Sequence, residues 1–326
     1  MGRKRAINIP SLRSEARAIY KDFIMKKFFS LLCTLLLSAV VFAEDFESYT
    51  ITVSSPNGAP AIALVSLAKE NPENYTYVAA EAIAAEFANA NADFIIAPVN
   101  AGAKLYKMGK SQYKLAAVVT WGNLYFASQK KNFKLKDIKK SEITLFGENT
   151  INASVALSVL EKNKIKPKTV SYLGSAAATQ NLLLTDSNAI VLTAEPALTA
   201  AKIKNQKITA YALNDLYKKS TGYDGFVQAG LFVKSETLEN HAEEAKEFLR
   251  RAEESCAKCQ TALESVAKDA ASLKIMPNEK VALSAIPNCS IKFVKASEAK
   301  TQLEATANID IKQYGGALPE DDFYAY

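Results

Sequence analysis

From residue 49 onward, short apolar runs alternate with stretches of good helix formers, and this alternation most limits what the chain can fold into. YTITV (49–53) reads as a strand and AIALVSLAKEN (61–71) as a helix. YTYVA (75–79) and EAIAAEFANA (81–90) repeat the pair, and ADFIIA (92–97) leads to a helix from Asn100 through Tyr106, then the strand KLAAVV (114–119). Strands that alternate with helices of about 10 residues form βαβ units. Near-continuous apolar strands are those covered by helices on both faces, as in parallel sheets.

The pattern then restarts. NLYFAS (123–128) is followed by the lysine-rich QKKNFKLKDIKK (129–140). EITLF (142–146), TVSYL (169–173), NAIVLT (188–193) and KITAYAL (207–213) read as strands, separated by helices at 151–163, 175–185 and 195–204. GFVQAGLFVK (225–234) is the next strand, and four helices without strands are expected from there to about residue 307. Helices alone form no third sheet domain, so they are placed back on the first lobe. The chain then crosses between lobes twice, near 121–128 and 222–230. The expected fold is α/β: two doubly wound lobes with mainly parallel sheets joined by a double-crossover hinge, with residues 44–122 plus 228–326 in lobe 1 and 123–227 in lobe 2.

The net charge of +6 suggests a polyanion partner until it is located. Residues 1–43 hold eight basic and two acidic residues, so the remaining 283 residues balance at 32 of each. Bulk charge therefore gives no support to a nucleic-acid face. Met25-Lys26-Lys27, the apolar run Phe28 to Phe42, and Val41-Phe42-Ala43 before Glu44 form a signal peptide over 25–43, with the mature chain starting at Glu44. The run is too short for a span of roughly 20 residues. Residues 1–24 precede an in-frame Met and are read as an upstream extension outside the true reading start. A lipid anchor at Cys33 is the less favoured alternative, because Leu32 precedes it where a small residue is wanted and the apolar run continues beyond it. The protein is expected in the periplasm or at the cell surface.

Three cysteines follow the leader. Cys256 and Cys259 share a helix face, so Cys289 is expected to pair with Cys256 or Cys259 in an oxidising compartment. Zinc needs about four ligands and the chain has one histidine, His241, so no metal is expected.

In open α/β sheets ligands sit beyond the carboxyl ends of strands, where helix N-termini present free N–H groups. Small and polar residues mark those ends: 54–60, 98–102, 120–123, 147–150, 173–175 and 193–196. Trp121, Tyr172 and Tyr223 lie at or near them and offer faces for a flat ligand. The one histidine, His241, lies in the acidic helical stretch ETLENHAEEAKEF and reads as a solvated surface residue, which argues against Ser-His-Asp or Cys-His catalysis, and neither GxGxxG, a P-loop nor HExxH occurs. Beyond the leader, arginine is confined to Arg250 and Arg251 on a late helix, which argues against an anion held by guanidinium and toward a neutral, flat, hydrogen-bonding ligand.

Together with the signal peptide and the double crossing, ADFIIAPVNAGAKLY (92–106), TAEPALTAAK (193–202), QAGLFVKSE (228–236) and GGALPEDDFYAY (315–326) resemble type II periplasmic substrate-binding proteins of ABC importers. The likeness is to the branch that holds nitrate, sulfonate, taurine and thiamine-pyrimidine-precursor binders. It implies a monomer without cofactor that captures a small molecule between closing lobes and delivers it to an ABC permease with its ATPase. By position, it implies ligand contacts from Ser55, Asn57, Gly58, Asn100, Trp121, Asn149, Tyr172, Ser175, Glu195 and Gln228. A thiamine precursor, a flavin-like compound, a sulfonate or another oxyanion all suit the branch. The alternative is a periplasmic lyase or dehydratase on the same scaffold, using Glu195 or Asp224. A thiamine-pyrimidine synthase of the same branch depends on a histidine and a cysteine-rich motif, which no cleft position here carries.

Overall fold

The computed structural model describes residues 49–326 together with Tyr20, Lys21 and Met25. The signal peptide (Met25 aside), Cys33 and the cleavage point before Glu44 lie outside the described residues.

The first run comprises β1 (Val53–Pro56), α1 (Ala59–Ile62), α2 (Val65–Glu70), β2 (Tyr75–Val78), α3 (Ile83–Asn89), β3 (Phe94–Pro98), α4 (Val99–Lys107) and β4 (Tyr113–Thr120). The second comprises β5 (Leu124–Ser128), β6 (Glu142–Phe146), α5 (Ile151–Lys162), β7 (Thr169–Leu173), α6 (Ala176–Thr185), β8 (Ile190–Ala194), α7 (Ala197–Lys204), β9 (Thr209–Ala212) and α8 (Leu213–Thr221). Then follow β10 (Ala229–Lys234), α9 (Ser235–Asn240), α10 (Ala242–Thr261), α11 (Leu263–Ser272), α12 (Glu279–Ala285), β11 (Ile291–Lys295) and α13 (Ala296–Ala307).

Two sheets result, in the orders β11-β4-β10-β3-β1-β2 and β7-β6-β8-β5-β9. Both are mixed rather than mainly parallel in their pairings. β1 lies parallel to β2 and β3, and β6 parallel to β7 and β8. β10 is antiparallel to β3 and β4, β11 to β4, and β5 to β8 and β9. The reason is mechanical. β4 and β9 run toward the edge where the chain changes sheets, so the strand that enters the other sheet there, β5 or β10, must run away from it. β5 and β10 are thus reversed because of the crossing.

Two further departures concern local chemistry. β1 starts at Val53 and takes in Ser54, Ser55 and Pro56, all buried, where the sequence suggested a turn. Thr52 is held out of the ladder, its N–H and hydroxyl both donating to Asp93 Oδ2 at 2.8 Å. β11 lies in the stretch expected to hold helices without strands. In IKFVK, Ile291 is buried while Lys292 and Lys295 are exposed, and the strand pairs with β4.

Several helices start on side-chain caps: Thr150 Oγ1 accepts from Ala153 N on α5, Ser175 Oγ from Ala178 N on α6, and Asn278 Oδ1 from Val281 N on α12. α10 buries Ala245, Phe248, Leu249, Ala252, Cys256 and Cys259, a 3–4-residue stripe packed on α2 and β11. No bridge joins the cysteines. Cys256, Cys259 and Cys289 are buried free thiols, which corrects the expected disulfide. The Cys256 thiol donates to Ala63 O, Cys259 to Ile62 O and Ser255 O, and Cys289 to Ala285 O, so each sulfur is directed at a backbone carbonyl.

Candidate functional site

The two crossing segments lie against each other. Gln228 N donates to Thr120 O at 3.1 Å and Ala229 N to Thr120 Oγ1 at 2.9 Å. Asn214 Nδ2, on α8, donates to the carbonyls of Trp121 and Gly122, both at 2.8 Å. Gly225 comes so close to the Trp121 carbonyl that no Cβ fits, and Gly122, at φ 78°, packs under the Phe226 ring.

Above this junction is a cleft of about 810 Å³, within the range of small-molecule sites. One wall comes from the ends of β1 and β3 and the starts of α1 and α4: Pro56, Asn57, Gly58, Pro98 and Asn100. The facing wall comes from the ends of β6 and β8 and the starts of α5 to α7: Phe146, Thr150, Asn152, Ala176, Glu195 and Ala197. Asn123 and Gln228, from the two crossing segments, form the floor, and Lys204, Asn278 and Gln313 also line the cleft. These are the carboxyl ends of strands, where the fold leaves backbone N–H groups free.

The polar chemistry of the floor is one-sided. Asn123 is 5% exposed, and its Nδ2 donates to Glu195 O at 3.1 Å, which fixes its orientation. Its Oδ1 is buried and receives no donor from the protein; the same is true of Asn100 Oδ1 and Gln228 Oε1. Gln228 Nε2 reaches Asn152 Oδ1 on the opposite wall at 3.4 Å. Val99 N, beside Asn100, donates to Gln228 O at 3.0 Å, so the Asn100 and Gln228 segments are joined through backbone.

Glu195 is 4% exposed, and burial raises its carboxyl above the ordinary value, opposed by hydrogen bonds from Thr199. Thr199 N donates to Oε2 at 3.0 Å and Thr199 Oγ1 to Oε1 at 2.9 Å, so both carboxyl oxygens are occupied within α7. Asp224 is exposed and ion-paired with Lys218 at 2.6 Å, which holds its carboxyl below the usual range. Glu195 is thus held by its own helix, and Asp224 by a surface ion pair.

No protein-family model and no curated protein matches the sequence. Solved structures do. An ABC transporter protein from Parabacteroides distasonis superposes at a TM-score of 0.73 and 22% identity, over 85% of this chain and 99% of that one. The periplasmic aliphatic sulphonate binding protein SsuA from Escherichia coli gives 0.63 and 13%, over 85% and 91%. A Candida albicans gene product described as having the generic periplasmic binding protein structural fold gives 0.52 and 11%, over 84% and 93%. This chain has the periplasmic binding protein fold.

Of the ten positions carried over to that fold from the sequence, Asn57, Gly58, Asn100, Glu195 and Gln228 line the cleft. The other five do not, and each has a local role. Ser55 Oγ donates to Pro56 O at 3.2 Å, and Ser175 is the cap of α6. Asn149, at φ 58°, offers its carbonyl to Gln313 Nε2 at 2.7 Å, and Tyr172 is a half-buried strand residue. Trp121 is 8% exposed and gives its Nε1–H to Lys292 O at 2.9 Å, so its ring belongs to the crossing rather than to the wall. The sequence reading passed over Asn123, although it marked the turn that holds it, because the neighbouring tryptophan was the more conspicuous residue. Asn152 carried one available signal, a carboxamide in the first turn of a helix that follows a marked strand-end turn.

Proposed function

We propose that this protein is the extracytoplasmic solute-binding component of an ABC importer and is not an enzyme. In this reading residues 44–122 with 228–326 form one rigid lobe and 123–227 the other. The lobes close on a small molecule, and a permease with its ATPase reads the closed form. The observation that carries the proposal is the 810 Å³ cleft at the strand carboxyl ends, floored by the two crossing segments themselves. A ligand seated there touches both lobes and the hinge, so it binds the closed form better, and this differential affinity shifts the population. The protein acts as a monomer in this role, since one chain supplies both walls.

The chemistry of the walls favours an uncharged ligand. The SsuA neighbour is a sulphonate binder, but an anion here would meet Lys204 as the only basic side chain among the lining residues. Arg250 and Arg251 are elsewhere, ion-paired on α10 with Glu247, Glu254 and Glu70. The lining otherwise offers neutral carboxamides, among them Asn57, Asn100, Asn152 and Gln228, beside the apolar Pro56, Pro98, Pro196 and Phe146, which suits an uncharged hydrogen-bonding body. The proposed contacts are Asn57, Gly58, Asn100, Asn123, Asn152 and Gln228.

The test is to identify, by native mass spectrometry, the compound that co-purifies with the exported protein, and to record scattering and Trp121 fluorescence with and without it. A more compact particle and a changed emission are expected, because Trp121 sits in the moving joint. Identical curves with a compound of proven stoichiometric binding refute lobe closure.

A further inference from the structure

The balanced charge of the chain beyond its leader conceals a division between the lobes. Residues 123–227 hold 15 lysines, no arginine and 8 acidic residues, a net +7, while 44–122 and 228–326 together hold 17 basic and 24 acidic residues, a net −7. The topology gathers the positive charge at one end. β6, β7, β8 and β9 all start, and the reversed β5 finishes, at the end of their sheet away from the cleft. The four segments there, 129–141, 163–168, 186–189 and 205–208, carry ten lysines against Asp137 and Asp186.

These segments form one surface. Lys168 N donates to Ser141 O at 2.9 Å, and Asn205 Nδ2 to Gln129 Oε1 at 2.7 Å. Nine of the ten lysines are exposed and Lys130 is half-buried. Among the described residues none of the ten is in an ion pair; the ion-paired lysine of this lobe is Lys218, on α8. Both aspartates accept from backbone N–H groups, Asp137 from Lys134 N and Asp186 from Asn188 N, each at 2.8 Å.

We propose that this end of the molecule docks on an anionic phospholipid surface. A face made of lysine alone suits a diffuse layer of negative charge, to which each ammonium contributes as a point charge. Nucleic acid is met more often with arginine forks and stacking aromatics. Here arginine is absent, and the ring among these segments, Phe133, is buried in the core. The acidic lobe is repelled by the same surface, so the protein stands on its 123–227 lobe with the cleft held above the lipid.

Vesicle co-sedimentation of the exported protein tests this, with phosphatidylglycerol and phosphatidylcholine vesicles at about 0.1 M and about 1 M salt, where the Debye length falls from about 10 Å to about 3 Å. Binding is expected to phosphatidylglycerol alone and to be lost at high salt. Each lysine near such a surface contributes roughly a 5-fold factor in affinity. The variant Lys139→Gln, Lys140→Gln, Lys166→Gln, Lys168→Gln is therefore expected to lose about 100-fold or more. Replacing Lys104, Lys107, Lys110 and Lys114 of the other lobe by Gln removes the same charge far from the docking end and is expected to weaken binding much less than the first variant does. All variants share one N-terminus, so any lipid affinity of the leader cancels in the comparison. Equal losses in the two variants, or no loss in the first, overturn the proposal. Tighter capture by duplex DNA or by polyglutamate than by phosphatidylglycerol overturns the choice of partner.

Discussion

Gly225→Ala isolates the joint from the cleft. In the second crossing segment a Cβ on Gly225 would lie inside 3.0 Å of the Trp121 carbonyl oxygen and 3.2 Å from Asn214 Nδ2. The obstacle is backbone, so the crossing segments must separate by several tenths of an ångström or more. Overpacking of this kind costs about 1–3 kcal/mol. The separation also strains the two 2.8 Å bonds from Asn214 to the Trp121 and Gly122 carbonyls, each contributing about 0.5–1.5 kcal/mol net. A loss of about 2–4 kcal/mol follows from these terms. Gly174→Ala is the control: it has open space around its Cβ and a φ outside the left-handed region, so it gains about 0.4–1 kcal/mol from the unfolded chain. Urea unfolding of both variants, followed by far-UV circular dichroism, reads the difference. Stabilities within about 0.5 kcal/mol of each other, the ordinary scatter of surface changes, refute the close packing of the two crossings.

Asn123→Ala leaves the buried Glu195 carbonyl without its side-chain donor and is expected to cost about 1–3 kcal/mol of stability by urea unfolding. In the proposed role, calorimetric affinity for the co-purified compound falls as well, about 10- to 100-fold. Burial raises the folded Glu195 carboxyl, so the folded state binds the extra proton and stability falls as pH rises from the ordinary 4.5 through the raised value. Glu195→Gln is expected to flatten that slope in thermal unfolding across the same window; an unchanged slope refutes the assignment. Burial pushes the Cys259 thiol up to about 12 and raises Cys256 and Cys289 as well, so all three are expected to resist iodoacetamide in the folded protein and to react in urea, as peptide mapping shows.

The two-sheet α/β architecture was legible because apolar runs such as ADFIIA and NAIVLT must be covered on both faces. The two crossings were placed correctly, although the premise that no strand follows GFVQAGLFVK was not met, since β11 also joins the first sheet. Strand direction was not legible, since period and composition do not distinguish parallel from antiparallel partners; it is set by where the chain changes sheets. IKFVK failed for a different reason: three apolar residues in five, between long helical stretches, carry too little signal for an edge strand. In the candidate site the turns were readable and the side chains within them were not. Ser175 and Asn123 look alike as turn residues, yet one is occupied by a backbone N–H and the other is left with an unpaired oxygen. Only packing decides which polar group has a partner to spare.

That spare oxygen lies where the fold makes it most consequential. Because β5 and β10 both enter their sheets at the carboxyl edge, the segments that carry the chain across also pave the cleft, and Asn123 and Gln228 stand on them. Under the proposed lobe closure, a ligand that contacts both engages the backbone whose torsions would change as the lobes open. Binding energy gained on the walls alone could be kept in part by the lobe that retains the ligand; energy gained on the floor depends on the relative setting of the two crossings. Since a ligand shifts a two-state equilibrium only by its differential affinity, an interaction placed on the joint is the kind that converts occupancy into closure. In the proposed role, the carboxamides on the floor would link solute capture to the shape presented to a permease.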